Sequence, residues 1–319
     1  WRFNNGGNHN YTYHNGVIFT VGAGNTLFAL NRADGSVKWS SAPPGGLFNY
    51  TIPVVRNGKV ILSGSGSLTY PNSNILYNCD FVYAVSESNG IPLWITPYAI
   101  NANDGYYIQN VSAGENIVCS YDSMLGLYVF DMNTGAPLWN HAGELLGRSN
   151  PIIWNNQVIY SHEGGTSGVS VYNGSVLWSN DFLVSRGPAI SGNTIVCSGS
   201  HGMIAYNIQN QSQLWAANNP NGICVPYITG SAAYYITGNG LLISYNVVTG
   251  AMFWFYEGYS GEYLVVAGND LYLINTLKKL TCVNATTGSV KWTATSLTDF
   301  TKPIFVVDAQ DNLYHVTNS

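Results

Sequence analysis

Residues Asn284–Trp292 read NATTGSVKW, and in physical terms the phrase is a turn joining two strands. An Asn or Asp at its head folds its side chain back onto the following backbone amides. A glycine four residues before the tryptophan takes a positive φ, and the tryptophan opens a new strand with its ring on one face. Trp39, Trp94, Trp139, Trp178, Trp215, Trp254 and Trp292 each end such a phrase, at successive spacings of 55, 45, 39, 37, 39 and 38 residues. Four residues before the tryptophan stand Gly35, Gly90, Gly135, Gly174, Gly250 and Gly288, with Gln211 the departure in the Trp215 copy. Eight before it stand Asn31, Ser86, Asp131, Asn207, Asn246 and Asn284. Ten before it stand Ala29, Ala84, Val129, Ala205, Ser244 and Cys282, short side chains that leave room for neighbouring bulk.

Upstream of each phrase lie two more short apolar runs joined by a tight turn, as in CVPYITG and AAYYITG. Each repeat is therefore four antiparallel strands, A to D, in about 38 residues. Such units, repeated around a ring, form a β-propeller, which leaves only short, protected strand edges. Trp1 stands one period, 38 residues, before Trp39, so the sequence predicts an outer strand near residues 1–4. The partial closing blade spans 294–319, where KPIFVVDAQDNLYHVTNS supplies strands A and B. The expectation is one all-β domain over 1–319, an eight-bladed β-propeller of four-stranded antiparallel blades with the closing blade shared between the N- and C-termini. Strand C of that blade would come from outside residues 1–319 or from a partner chain.

The phrases ALNRADGSVKW, VFDMNTGAPLW, SYNVVTGAMFW and CVNATTGSVKW resemble the tryptophan-docking motif of pyrroloquinoline-quinone-like (quinoprotein-type) β-propellers, and the resemblance covers the whole chain. It implies an eight-bladed ring in which each tryptophan, Trp1 included, packs between adjacent blades. It does not fix an activity, since the fold hosts quinone-dependent oxidoreductases, a bacterial outer-membrane assembly scaffold and cofactor-free sensors. In the quinoprotein enzymes an adjacent cysteine pair flanks a quinone held through calcium. No two cysteines are adjacent here, so neither pyrroloquinoline quinone nor calcium is expected.

Only 8% of the 319 residues are charged and 46% are hydrophobic, and the formal net charge is −5. No basic patch is present for nucleic acid, Lys278 and Lys279 being read as a solvated turn, and no apolar run is long enough for a spanning helix. The first residues lack a basic segment followed by an apolar one, so any secretion signal would have been removed or was never included. Six Asn-x-Ser/Thr sequons occur, at Asn10, Asn49, Asn110, Asn173, Asn210 and Asn284, three in one class of turn and three near an inner strand. Glycans there would hydrate a surface poor in charge, and the chain reads as a secreted or cell-surface glycoprotein.

No H-E-x-x-H, G-x-S-x-G or phosphate-cradling loop occurs, which argues against an enzyme. Candidate binding residues on the face carrying the B–C turns and D–A loops are Asp104, Tyr121, Asp122, His162, Glu163 and His201. Of five cysteines, Cys282 sits in the short-side-chain slot as a buried thiol, whereas Cys79 with Cys119 and Cys197 with Cys224 lie in neighbouring blades and are candidate disulfides. The function these features favour is a non-catalytic scaffold that binds other proteins or copies of itself. A glycan-binding ring is the alternative, with Tyr50, Tyr98, Tyr106, Tyr107 and Trp154 as stacking candidates, and a quinone-dependent oxidoreductase is the second alternative.

Overall fold

The computed structural model describes residues 11–48, 51–69, 76–98, 110–122, 126–142, 150–162, 165–180, 188–199, 202–218, 226–259, 264–277, 279–294, 305–307 and 313–315. Among them, seven antiparallel sheets of at least four strands succeed one another along the chain. Blade 1 is Tyr11–His14, Val17–Gly22, Thr26–Asn31 and Val37–Ser41; blade 2 is Val54–Arg56, Lys59–Thr69, Leu76–Ser86 and Pro92–Tyr98. Blade 3 is Asn110–Ala113, Ile117–Asp122, Gly126–Asp131 and Pro137–Ala142; blade 4 is Ile152–Trp154, Gln157–His162, Gly165–Ser170 and Val176–Asn180. Blade 5 is Pro188–Ser191, Thr194–Gly199, Gly202–Asn207 and Gln213–Asn218; blade 6 is Tyr227–Thr229, Ala232–Ile236, Leu241–Asn246 and Met252–Glu257. Blade 7 is Val265–Ala267, Asp270–Ile274, Leu280–Asn284 and Val290–Thr293. The first strands of successive blades approach one another, which puts strand A at the axis and strand D at the rim.

The expectation of eight blades is corrected to seven. It extended the tryptophan period back to Trp1 and joined the two chain ends into one sheet. A blade needs four hydrogen-bonded strands, and among the described residues the C-terminal segment builds only the ladder Phe305–Val307 with Leu313–His315. That ladder lies beside strand A of blade 7 and strand A of blade 1. The strand expected near residues 1–4 lies outside the described residues, and the strand expected from elsewhere loses its place together with the eighth blade.

Why these strands stack as blades follows from their alternation. Successive side chains of a strand point to opposite faces, so each sheet feeds two neighbours. In the second strand of blade 2, Val60 and Leu62 join a core shared with blade 1, while Ile61 joins one shared with blade 3. Six such cores run between consecutive blades from 1 to 7. Truncating a fully buried member such as Phe19 to alanine costs about 3–5 kcal/mol.

Blade 2 accounts for the long Trp39–Trp94 interval. Its middle strands are 11 residues each, and Gly46–Leu47 pairs along the far end of Lys59–Thr69. Glycine permits this approach, since a Cβ on Gly66 would stand 2.5 Å from the Gly45 carbonyl oxygen. Phe48 then reaches Phe81 and Tyr83 with ring centroids 6.0 and 5.9 Å away.

Candidate interaction surface

The rim is built from the repeated turn. At its head, the Asp131 carboxylate accepts from the Thr134 amide at 2.8 Å, the Thr134 hydroxyl at 2.9 Å and the Asn133 amide at 3.0 Å. These bonds, the Thr134 amide foremost, hold its carboxyl below the usual carboxylate range. Asn246 and Asn284 make the equivalent pairs of amide contacts as neutral acceptors. The motif glycine comes next, with φ near +71° at Gly90, Gly135, Gly174 and Gly250.

The turns of blades 2, 3, 4, 6 and 7 each receive the tryptophan of the blade before, whereas Trp292 of blade 7 stands 43% exposed. Trp39 donates its indole N–H to the Glu87 carbonyl at 3.0 Å, Trp94 to Met132 at 3.2 Å and Trp139 to Val171 at 2.9 Å. Trp215 donates to Val247 and Trp254 to Ala285, both at 3.0 Å. The rings lie flush on the glycines, so a Cβ on Gly250 would stand 2.6 Å from Trp215 and one on Gly288 2.6 Å from Trp254. Within its own blade each tryptophan faces the short residue ten positions earlier, as in Ala205 opposite Trp215 and Ser244 opposite Trp254. Two residues past the tryptophan a second contact forms. The Thr96 hydroxyl donates to Gly135 O at 2.7 Å, and His141 Nε2 lies 2.8 Å from Gly174 O. A carbonyl only accepts, so His141 donates there through Nε2, and its Nδ1 lies 3.0 Å from the Tyr160 hydroxyl.

Of the candidate binding residues singled out in the sequence, Tyr121 and His162 have described side chains, and they stand in different blades. Tyr121 is buried, and His162 lies 2.8 Å through Nε2 from the Ser167 hydroxyl, which donates to Ser179 at 3.0 Å. Asp122 ends the second strand of blade 3, whereas Asp104, Glu163 and His201 lie outside the described residues. Among the aromatic candidates, Tyr98 is buried with its hydroxyl 2.6 Å from Ser120 Oγ, and Trp154 packs on the core between blades 4 and 5. Tyr50, Tyr106 and Tyr107 lie outside the described residues, as does Lys278.

Cys79, Cys119, Cys197 and Cys282 are buried free thiols. The candidate bridge between Cys79 and Cys119 is therefore not formed: Cys79 packs in the core between blades 1 and 2, and Cys119 in the core between blades 3 and 4. Cys224, the candidate partner of Cys197, lies outside the described residues. Burial pushes the thiols up, Cys79 and Cys282 to about 11, Cys197 to about 12 and Cys119 further still. Three sequon asparagines serve as turn acceptors: Asn173 takes the Ser175 amide at 3.0 Å, Asn210 the Ser212 amide at 3.0 Å, and Asn284 the Thr286 and Thr287 amides at 2.9 Å. Asn110 begins a strand, and Asn10 and Asn49 lie outside the described residues.

One feature of the rim escaped the sequence reading. The residues on either side of each outer-strand tryptophan point away from the docked face. Those just before it are Lys38, Leu93, Leu138, Leu177, Leu214, Phe253 and Lys291, all exposed. Those just after it are Ser40, Ile95, Asn140, Ser179, Ala216, Phe255 and Thr293. Blade 6 alone has an aromatic ring at both places. Met252, Phe253 and Phe255 are 56%, 50% and 54% exposed, around a Trp254 that is 9% exposed. Lone exposed apolar residues need no explanation, but three large ones in four consecutive positions make a patch of the kind that marks a contact surface. The signal was present in MFWFYE, as bulk flanking the tryptophan on both sides.

A calcium-held quinone would need a cluster of charged or metal-ligating donors. Among the described residues no group of three or more His, Cys, Asp or Glu side chains is placed to hold a metal ion. No helix among the described residues is long and apolar enough to cross a membrane.

A family model described as "Outer membrane protein assembly factor BamB" matches residues 1–95 and 80–256. An uncharacterized protein of Rickettsia prowazekii is 25% identical over 170 residues, 51% of this chain and 35% of that protein. The outer membrane protein assembly factor BamB of Shewanella oneidensis is 24% identical over 299 residues, covering 83% of this chain and 72% of that one. The chain spans about a third of the length of the Rickettsia relatives it matches. Among solved structures, BamB from Moraxella catarrhalis superposes with a TM-score of 0.65 at 12% identity, over 95% of this chain and 94% of that one. The quinohemoprotein alcohol dehydrogenase of Comamonas testosteroni does so with a TM-score of 0.62 at 10% identity, over 95% and 69%. At these identities the superpositions show a shared fold.

Proposed function

Because the chain belongs to the family described as outer membrane protein assembly factor BamB, we propose that it is a protein-binding scaffold of the cell envelope, holding a partner protein at its rim. The observation that carries the reading is the blade 6 outer strand, where Met252, Phe253 and Phe255 stand exposed on a strand fixed from behind by Trp254. A ring clasped blade to blade presents such a patch without ordering it first, so binding costs little conformational entropy. The patch is apolar and aromatic, the composition of a contact core.

The test is photo-crosslinking in the cells that make the protein. A photoreactive residue is placed at position 253 or 255, and at position 38 on the rim of blade 1 as comparison. Discrete protein adducts from 253 and 255 and none from 38 are expected. Absence of protein adducts from both blade 6 positions overturns the reading.

A further inference from the structure

Met252–Glu257 is the outermost strand of blade 6 and, among the described residues, is hydrogen-bonded on one side only, to Leu241–Asn246. Every second residue of such a strand aims its N–H and C=O away from the sheet. A row of donors and acceptors in this alternation is satisfied by one kind of occupant, another extended backbone. A helix has spent its backbone groups internally, and an acyl chain has none. The side chains narrow the occupant further. Phe253 and Phe255 are two apart and share one face, so an added strand packs on them if its own apolar residues also alternate. The strand's single formal charge is Glu257 at its far end, in a chain of net charge −5, so a Lys or Arg near that end of the partner is attracted and an acidic residue repelled.

The seven outer strands are homologous positions, and comparing them isolates what is particular to blade 6. Blades 1 and 7 carry Lys38 and Lys291 just before the tryptophan, and blades 2 and 3 carry Pro92 and Pro137 in the strand. Lysine and proline are residues that keep an edge from pairing with another chain. Blades 4 and 5 lack both and expose Leu177 and Leu214 just before the tryptophan, but place Ser179 and Ala216 where blade 6 has Phe255, so neither offers a pair of large apolar side chains flanking it. Blade 6 combines an edge free of lysine and proline with aromatic side chains on the exposed face, and its β-bulge at Met252–Trp254 is one that all seven outer strands share. We infer that this strand is a site of β-strand addition, taking an extended partner segment with alternating apolar residues and a basic residue opposite Glu257 as a fifth strand of blade 6. This rests on the reading of the rim as a protein-binding surface.

The experiment uses the full chain and a fluorescein-labelled synthetic peptide of about eight residues, the length of an ordinary strand. The peptide alternates Val or Phe with Thr and carries one Lys. Its control has the same side chains with the amides of one edge N-methylated at alternate positions. Anisotropy titration of the unmodified peptide is expected to saturate, with slowed amide exchange at 252–257 in the complex. N-methylation and Phe253→Lys should each weaken binding by roughly tenfold or more. Phe253→Lys installs the residue type that blades 1 and 7 already hold at this place, and an unchanged melting temperature verifies that the variant is folded. Equal binding by the methylated peptide overturns strand addition and leaves apolar docking at the rim. Binding untouched by Phe253→Lys, or no binding, also overturns it. Crosslinks from 253 without peptide binding would sink the added strand alone, whereas the absence of both would sink the scaffold reading with it.

Discussion

Trp178 donates its indole N–H to the side-chain oxygen of Gln157 at 2.7 Å, an acceptor in its own blade, whereas the other docked tryptophans described above donate to a carbonyl of the following blade. The exception coincides with the departure in the motif. The turn that faces Trp178 has Gln211 in place of glycine, held at φ +55°, and the residue opposite Trp178 is Gly168, where a Cβ would stand 2.2 Å from the indole nitrogen. The joint between blades 4 and 5 thus relies on packing without the backbone clasp. Gln157→Ala leaves a buried indole N–H without its acceptor, which costs about 1–3 kcal/mol. Urea unfolding followed by tryptophan fluorescence checks it, and a loss under about 0.5 kcal/mol would mean that the ring turns to another acceptor.

The motif glycines carry two burdens, a left-handed backbone and an indole against Cα, and a pair of variants separates them. Gly192 has φ +54° with nothing within 4 Å of where an alanine methyl would stand, whereas at Gly250, φ +71°, that methyl would meet Trp215 at 2.6 Å. Gly192→Ala should cost about 1–2 kcal/mol for the backbone alone. Gly250→Ala should add about 1–3 kcal/mol for overpacking. Thermal melts of the two side by side give the comparison; equal losses would mean that the indole moves aside freely.

Asp131 links the turn of blade 3 to pH. Its folded carboxyl titrates below the ordinary value, so the bonds it accepts contribute stability that is complete above the unfolded value near about 4. That contribution is lost as pH falls through the lowered folded value. Asp131→Asn, which places there the residue that Asn246 and Asn284 already supply, should flatten the acid limb of the stability curve and leave neutral stability within about 0.5 kcal/mol. Urea midpoints at steps between neutral pH and strong acid test this, and parallel curves for the two proteins would remove Asp131 as the titrating group.

The parts of the fold visible in the sequence were those fixed by local chemistry. The turn from Asn284 to Trp292 needs a side-chain acceptor, a left-handed glycine and a ring, and its recurrence laid out the seven outer strands. Blade number was not local. It depended on whether segments far apart in the chain complete one sheet, and among the described residues the ladder at 305–307 and 313–315 has two strands. The bonding of Trp178 was invisible too, since it turns on Gln157, some twenty residues upstream, reaching the ring. At the candidate site, His162 and Tyr121 were chosen for their chemical type, whereas burial of Tyr121 is set by the neighbouring blade. The Phe253 and Phe255 pair lay in plain view beside Trp254, but which face of an outer strand meets water follows from how the blades fan outward, and no window of sequence encodes that.

The forward direction of the clasp, from Trp39 to the turn at Glu87 and from Trp254 to the turn at Ala285, gives synthesis on the ribosome an order. A newly made blade holds the receiving turn for its predecessor but must wait about one repeat, a few seconds of translation, before its own indole is covered. At each stage the nascent chain therefore shows a fresh aromatic ring at its growing end, which the next blade hides on arrival. Slowing translation within a repeat would prolong that exposure, so the interval of greatest risk for chaperone capture or misassembly moves along the message in step with the tryptophans.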